Sequence, residues 1–188
     1  MRKVIYWMSV SLDGFIETRD GKIDWTTPDE ELHQFFNEEA RKLSVFLYGR
    51  KTYEMMAAFW PTADQDPLAP ESVVEFARIW RSMPKVVFSR TLRSAEGDTR
   101  IVSDHLVEEI ESLKQDPTGD LGLGGAGIAA SFMKEGLIDE FLLFVRPIIL
   151  GGGTPYIPPL DFPVRLRLVE RRAFAGGVML LRYQRIEC

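Results

Sequence analysis

Cysteine and histidine are almost missing from this chain of 188 residues, which has one cysteine, Cys188, and two histidines, His33 and His105. A single thiol excludes an intramolecular disulfide framework and any multi-cysteine metal site, and two histidines argue against a zinc enzyme. Long apolar runs are missing too. The longest, Phe141–Val145, is cut at once by Arg146 and Pro147, far short of the roughly 20 apolar residues that span a bilayer. Met1-Arg-Lys3 before Val4–Val10 imitates a signal peptide, yet the apolar part stops at Ser11-Leu-Asp13-Gly14 with no small-residue cleavage site. A buried first strand and a cytoplasmic location are expected instead. Nor is positive charge in excess: 23 basic against 28 acidic side chains give a formal net charge of −5. Neither nucleic acid nor an anionic membrane surface is an expected partner.

What is present is a globular balance, 45% apolar and 27% charged, in a length that suits one domain over residues 1–188. Residues 4–10 read as a central strand ending at Asp13-Gly14. Thr27 and Glu30 have capping-box spacing with Pro28 at the first helical position. Leu32, Phe35, Phe36, Ala40 and Leu43 then recur at helical spacing. Val45–Tyr48 is a buried strand, and Gly49-Arg50 leads into a short helix over 51–58. Pro70 opens a third helix with Val73, Phe76, Ala77 and Trp80 inward, and Val86–Phe88 is the next strand. A short strand at 100–102 precedes a helix capped by Ser103 or Asp104 and carrying Leu106, Ile110 and Leu113. Asp116–Asp120 breaks the chain before a glycine-rich turn, and a helix with Ile128 and Phe132 inward stops at Gly136. Residues 141–145 form a strand, and Gly176-Gly177 turns Arg165–Leu168 into Val178–Tyr183 as a hairpin. Alternating strands and helices predict an α/β fold with a mostly parallel sheet that closes on an antiparallel hairpin.

Three strand-to-helix junctions carry anion-binding chemistry. Gly122-Leu-Gly124-Gly125-Ala126-Gly127 fits G-x-G-x-x-G, whose glycines let backbone approach a phosphate closely. Its context is poor for a Rossmann dehydrogenase: Pro117, Gly119 and Asp120 precede it, and the next strand ends in Arg146-Pro147 instead of an acid. Gly49-Arg50-Lys51-Thr52 offers helix-start amides, a hydroxyl and a guanidinium. Ser89-Arg90 is the third. A long phosphorylated cofactor lying across several strand ends would use all of them. For acid–base work the first helix offers Asp29, Glu30, Glu31, Glu38 and Glu39. Glu39 leans inward and suits a buried partner for Arg41, Lys42 or another cation. His33 and His105 sit among polar positions and read as surface residues. Gly151–Gly153 reads as a lid or a flexible loop, and Trp25, Phe35, Phe36, Phe59 and Trp60 can line a pocket for a flat ring.

Eight segments in order carry a resemblance. They are Ser11–Gly14, Asp24-Trp25, Leu47–Glu54 with Gly49-Arg50-Lys-Thr52, Phe59-Trp-Pro61, Val86–Arg90, Leu123-Gly124-Gly125, Gly136–Glu140 and Pro147–Gly153. Together they resemble the dihydrofolate reductase-like family, in the branch of the RibD C-terminal reductase domain. The resemblance implies NADPH bound across the strand ends. Gly49, Arg50 and Thr52 match the phosphate-binding turn. Arg50, Ser89 and Arg90 would hold the 2′-phosphate, and Gly124, Gly125, Ala126 and Gly127 would hold the pyrophosphate. Ser9 and Ile16 would border the nicotinamide. Glu31 matches the substrate-binding carboxylate and candidate proton relay, with Asp29 and Glu30 as alternatives. The activity implied is hydride transfer to a C=N or C=O carbon of a small pterin- or ribosylaminopyrimidine-like heterocycle, by a homodimer with no resident metal. The competing reading is a non-catalytic nucleotide- or ligand-binding protein that keeps the fold.

Overall fold

A computed structural model describes residues 2–186, so Cys188 lies outside the described residues. The chain runs β1 (Val4–Ser11), β2 (Phe15–Glu17), α1 (Glu30–Arg41), β3 (Leu43–Gly49), α2 (Arg50–Phe59), α3 (Glu71–Ser82), β4 (Lys85–Phe88) and β5 (Thr99–Val102). It continues through α4 (Leu106–Gln115), β6 (Asp120–Gly124), α5 (Ala126–Lys134), β7 (Glu140–Arg146), β8 (Thr154–Pro155), β9 (Leu166–Ala173) and β10 (Met179–Arg185). Eight strands form one sheet in the order β5-β4-β3-β6-β1-β7-β10-β9. Strands β5 to β7 in that order are mutually parallel, while β10 pairs antiparallel with both β7 and β9. The α/β fold with a mostly parallel sheet and a closing antiparallel hairpin is the one the sequence pattern predicts.

Parallel strands covered on both faces must be apolar on both sides, and β1 meets that condition. Val4, Tyr6 and Val10 pack with Ile110, Phe132 and Met133 under α4 and α5. Ile5, on the other face, packs with Leu32, Phe35, Phe76 and Trp80 of α1 and α3. Tyr6 and Tyr156 close the first of these cores with a reciprocal clamp. Their rings stack at 4.4 Å, Tyr6 Oη donates to Tyr156 O (3.2 Å), and Tyr156 Oη donates to Tyr6 O (3.0 Å).

Four local readings are corrected. The cap of α1 is Asp29, whose side chain accepts from Leu32 N–H at 2.9 Å, while Thr27 and Glu30 form no capping box. Thr27 Oγ1 donates to Asp24 O, and Glu30 accepts from Ser72 and Gln34 instead. The cap of α4 is His105, with φ of +59° and no side-chain cap bond, in place of Ser103 or Asp104. Leu121–Gly124 is no turn but strand β6 at the middle of the sheet. A Cβ on Gly122 would stand 2.5 Å from Leu43 Cδ1, so this glycine serves close packing within the sheet. The Gly151–Gly153 segment is tethered. Asp13 accepts from the N–H groups of Leu150 (3.0 Å) and Gly151 (2.7 Å), and a Cβ on Gly153 would lie 1.9 Å from Glu17 O in the β2–β8 pair.

Glu39 is buried as its position suggests. Its carboxylate pairs with Lys42 and Arg182, and Arg182 also reaches Glu140 (3.6 Å) and Glu170 (3.2 Å). Lys3 completes the group at 2.6 Å from Glu140. This network joins α1 to β7, β9 and β10 and to Lys3, just before β1.

Candidate functional site

All the parallel strands end on one edge of the sheet, and the three glycine- or arginine-bearing junctions meet there. Gly49 is in register with Phe88, and Tyr48 with Gly124, so the turns after β3, β4 and β6 are neighbours. Helices α2 and α5 begin at two of these turns. Each starts from a glycine, Gly49 or Gly125, with no side-chain cap and no acid in its first turn. Their first turns therefore carry none of the negative charge that α1 and α4 place in theirs. Gly125 has φ of +103°, and a Cβ on it would lie 2.3 Å from Thr52 Oγ1, which brings the two turns into contact. That glycine cradle, with uncapped amides and a hydroxyl between them, fits a bridging phosphate.

Beside these turns lies a cavity of about 670 Å³. Ser9, Ile16 and Thr52 line it, as do Trp7 and Met8 of β1. Gly49, Arg50, Ser89, Arg90, Gly124, Gly125, Ala126 and Gly127 are outside its lining, along the same sheet edge. Arg50 is half exposed beside Glu54 (3.4 Å), and Arg90 lies 3.3 Å from Asp104. Ser89 Oγ accepts from Leu92 N–H at 3.0 Å. Of the aromatic set, Phe36, Phe59 and Trp60 line the cavity, whereas Phe35 is core. Both Glu17 and Asp24 reach the lining, and Lys51 pairs with Glu17 at 2.9 Å. Burial pushes Glu17 up, but Lys51 and Thr154 outweigh it and hold the carboxyl below its usual range. Among the described residues no group of three His, Cys, Asp or Glu side chains is placed to hold a metal ion.

The carboxylate assigned to Glu31 is not in this cavity. Glu31 accepts from Arg172 Nη2 and Ala175 N–H, both at 3.1 Å, on the side of α1 that meets the C-terminal hairpin. Neither alternative replaces it, since Asp29 is the helix cap and Glu30 is held by Ser72. The reason is the helix phase. With Leu32 and Phe35 in the core, the α1 positions facing the cavity are His33 and Phe36, so Glu31 falls on another flank.

Two residues of consequence were missed. His33 is only 8% exposed, lies within 6.0 Å of the Trp60 and Phe76 rings, and is held below its usual pKa by burial. The signal was its spacing: three residues before Phe36, it shares that aromatic's face. Arg146 is equally buried, and Asp29 acts on it through charge alone. Its guanidinium donates to Ser9 Oγ (3.3 Å), Thr27 O (3.2 Å) and Thr26 O, tying the cavity-lining segment 26–27 to the end of β7. Burial lowers its pKa, and Asp29 opposes the shift.

The sequence matches the RibD C-terminal domain family over residues 2–180. It is 32% identical over 183 residues to the uncharacterized protein YyaP of Bacillus subtilis strain 168, covering 97% of this chain and 94% of that protein. A Shewanella sp. PV-4 protein provisionally assigned to riboflavin biosynthesis superposes with a TM-score of 0.78 at 25% identity, over 98% of this chain and 99% of its own. The dihydrofolate reductase of Enterococcus faecalis, solved with NADP(H), superposes with a TM-score of 0.66 at 16% identity, over 98% and 97% of the two chains. Shared sequence and superposition over nearly the whole length point the same way: this chain belongs to the RibD C-terminal domain family and has the dihydrofolate reductase-like fold.

Proposed function

We propose that the protein is an NADPH-dependent reductase of a small cyclic substrate bearing a C=N or C=O group. The observation that carries this is the pair of uncapped, glycine-started helices α2 and α5 opening side by side next to a largely apolar cavity. The Enterococcus reductase of the same fold was solved with NADP(H), which supports the same reading. Gly124, Gly125, Ala126 and Gly127 would hold the pyrophosphate through backbone amides, with the Thr52 hydroxyl beside them. Gly49 begins the turn from which Arg50 would reach the 2′-phosphate together with Ser89 and Arg90. When bound, NADPH supplies the hydride from its nicotinamide ring. Ser9 and Ile16, already on the cavity wall, would border that ring. The aromatic walls exclude water, and Arg146 keeps the 26–27 segment in position against β7.

Titration with NADPH and NADH, followed through Trp7 and Trp60 in the cavity wall, tests the assignment. NADPH is expected to bind at least about tenfold tighter than NADH, and Arg50→Ala with Arg90→Ala to erase that preference by removing charge-assisted contacts. Binding of neither nucleotide overturns the cofactor assignment. One observation favours a second reading, a ligand-binding protein without turnover: none of Asp29, Glu30 and Glu31 reaches the cavity. A tight NADPH complex that reduces no member of a carbonyl and imine panel would establish that reading instead.

A homodimer is part of the proposal. The outer strand β9 is exposed at every position but Glu170, and it presents Leu166, Leu168 and Val169 to solvent on the sheet's unpaired edge. Lone soluble domains blunt such edges, so a second copy is the expected cover. Light scattering should return twice the 21.5 kDa chain mass. A monomeric mass at working concentration rejects the dimer.

A further inference from the structure

The substrate end of the cavity has a chemistry of its own. Its walls are Met55, Met56, Phe59, Trp60, Val73 and Phe76, and the one polar side chain that α1 contributes is His33. Lys51 is the one lysine or arginine in the lining, and it is already paired with Glu17. Asp24 adds a second negative charge with no cation of its own among the lining residues. The nearby Arg146 is outside the lining and directs its Nε and both Nη nitrogens to Ser9, Thr27 and Thr26. A phosphorylated or otherwise anionic substrate would therefore meet uncompensated negative charge and apolar walls, which is costly.

The neighbour of His33 one turn later bears on which ring nitrogen carries its proton. Asn37 donates from Nδ2 to Ser72 O (2.9 Å) and to Glu75 Oε2 (2.8 Å), which leaves only its Oδ1 to face the histidine. His33 Nδ1 and Asn37 Oδ1 are both buried, and neither has a hydrogen-bond partner among the described residues. Asn37 follows His33 by four residues on α1, the spacing that brings two side chains together on one helix face. An oxygen in that place calls for the proton on Nδ1, so Nε2 keeps its lone pair as an acceptor.

Building on the reductase reading, we propose that this cavity selects a flat, uncharged, unphosphorylated ring compound, with His33 as the specificity-determining acceptor for an O–H or N–H on that ring. The ring lies between the aromatic and methionine side chains, and one donor on it satisfies the imidazole. A ribosyl phosphate is excluded, which separates this substrate class from phosphorylated pyrimidines.

Calorimetric titration of the full chain with three naphthalene probes tests the proposal, first without NADPH and then with it. The probes are 2-naphthol, 2-methoxynaphthalene and 2-naphthyl phosphate. The wild type should bind 2-naphthol about tenfold tighter than 2-methoxynaphthalene, the worth of one hydrogen bond to a buried acceptor. It should bind 2-naphthyl phosphate more weakly than either. His33→Phe should erase the advantage of 2-naphthol while keeping affinity for 2-methoxynaphthalene, and His33→Gln, which retains an acceptor, should restore part of it. Tightest binding of the phosphate overturns the proposal, as does an undiminished 2-naphthol preference in His33→Phe or failure of all three probes to bind the wild type. The wild-type ranking stands as a test even if His33→Phe fails to fold. Because the first titration contains no nucleotide, the ranking can hold while NADPH fails to bind. In that event the reductase reading falls and the selectivity of the cavity stands.

Discussion

Gly125→Ala is expected to weaken NADPH binding by about a hundredfold, combining backbone strain of roughly 1–3 kcal/mol with a steric clash. Gly125 sits at φ +103° and ψ 126°, a region that side chains with L configuration rarely enter. The new methyl would also stand 2.3 Å from Thr52 Oγ1 and 3.3 Å from Thr52 Cβ. Relief requires either Gly125 to turn its amide or Thr52 to leave its place at the start of α2. Both movements take apart the juncture proposed to hold the pyrophosphate. The variant should keep its far-ultraviolet circular dichroism, because Gly125 lies in the turn between β6 and α5, outside both elements. Calorimetric titration reads the loss, and affinity within about twofold of wild type would show that this turn does not touch the nucleotide. Gly125→Ala combined with Thr52→Ala gives a further check. If the damage is the clash, the pair should lose less than the sum of the two single losses.

Arg182→Ala should destabilise the protein by about 3–5 kcal/mol, the cost of leaving buried carboxylates without their cation. Glu39 and Glu140 are each about 5% exposed, and the Arg182 guanidinium lies between them. Lys42 and Lys3 remain as partners, but both are largely in solvent and are weakened by screening there. Adding Glu39→Gln to Arg182→Ala removes one of the stranded charges and should recover a good part of the loss. Urea denaturation at neutral pH measures both variants. A change below about 1 kcal/mol in Arg182→Ala would mean that water reaches these carboxylates freely.

Periodicity carried the architecture. The stripe Leu32, Phe35, Ala40 fixed the buried face of α1, and the apolar run 4–10 fixed β1 as a central strand, because burial follows those spacings directly. Segments whose reason for being lies far away in the chain could not be read locally. Gly122 looks like part of a phosphate loop until Leu43 is seen against it, and Gly153 looks like hinge material until Glu17 O is found beside it. The candidate site was legible to the same degree. Junctions after strands were found because strand ends and helix starts leave marks in the sequence. The acid was misplaced because Glu31 and the cavity face differ only by helix phase, which the core residues on either side determine. His33 was set aside because its neighbours in sequence are polar, while its neighbours in space, Trp60 and Phe76, come from α2's end and from α3.

The place of β1 in the sheet bears on how the molecule is made. Strand β1 pairs with β6 and β7, both made long after it, in registers such as Val4↔Leu121 and Tyr6↔Phe141. Its stacking partner Tyr156 comes later still. At ribosomal speeds of about 5–20 residues per second, this apolar strand waits on the order of ten seconds for its first neighbour. Throughout that interval the nascent chain displays an apolar strand with no native neighbour in the sheet to receive it. Only β3, β4 and β5, each close to the last in sequence, can assemble meanwhile. Final closure is thus a late, long-range event, and the yield of active protein will depend on what shields the N-terminal strand until the last third of the chain has left the ribosome.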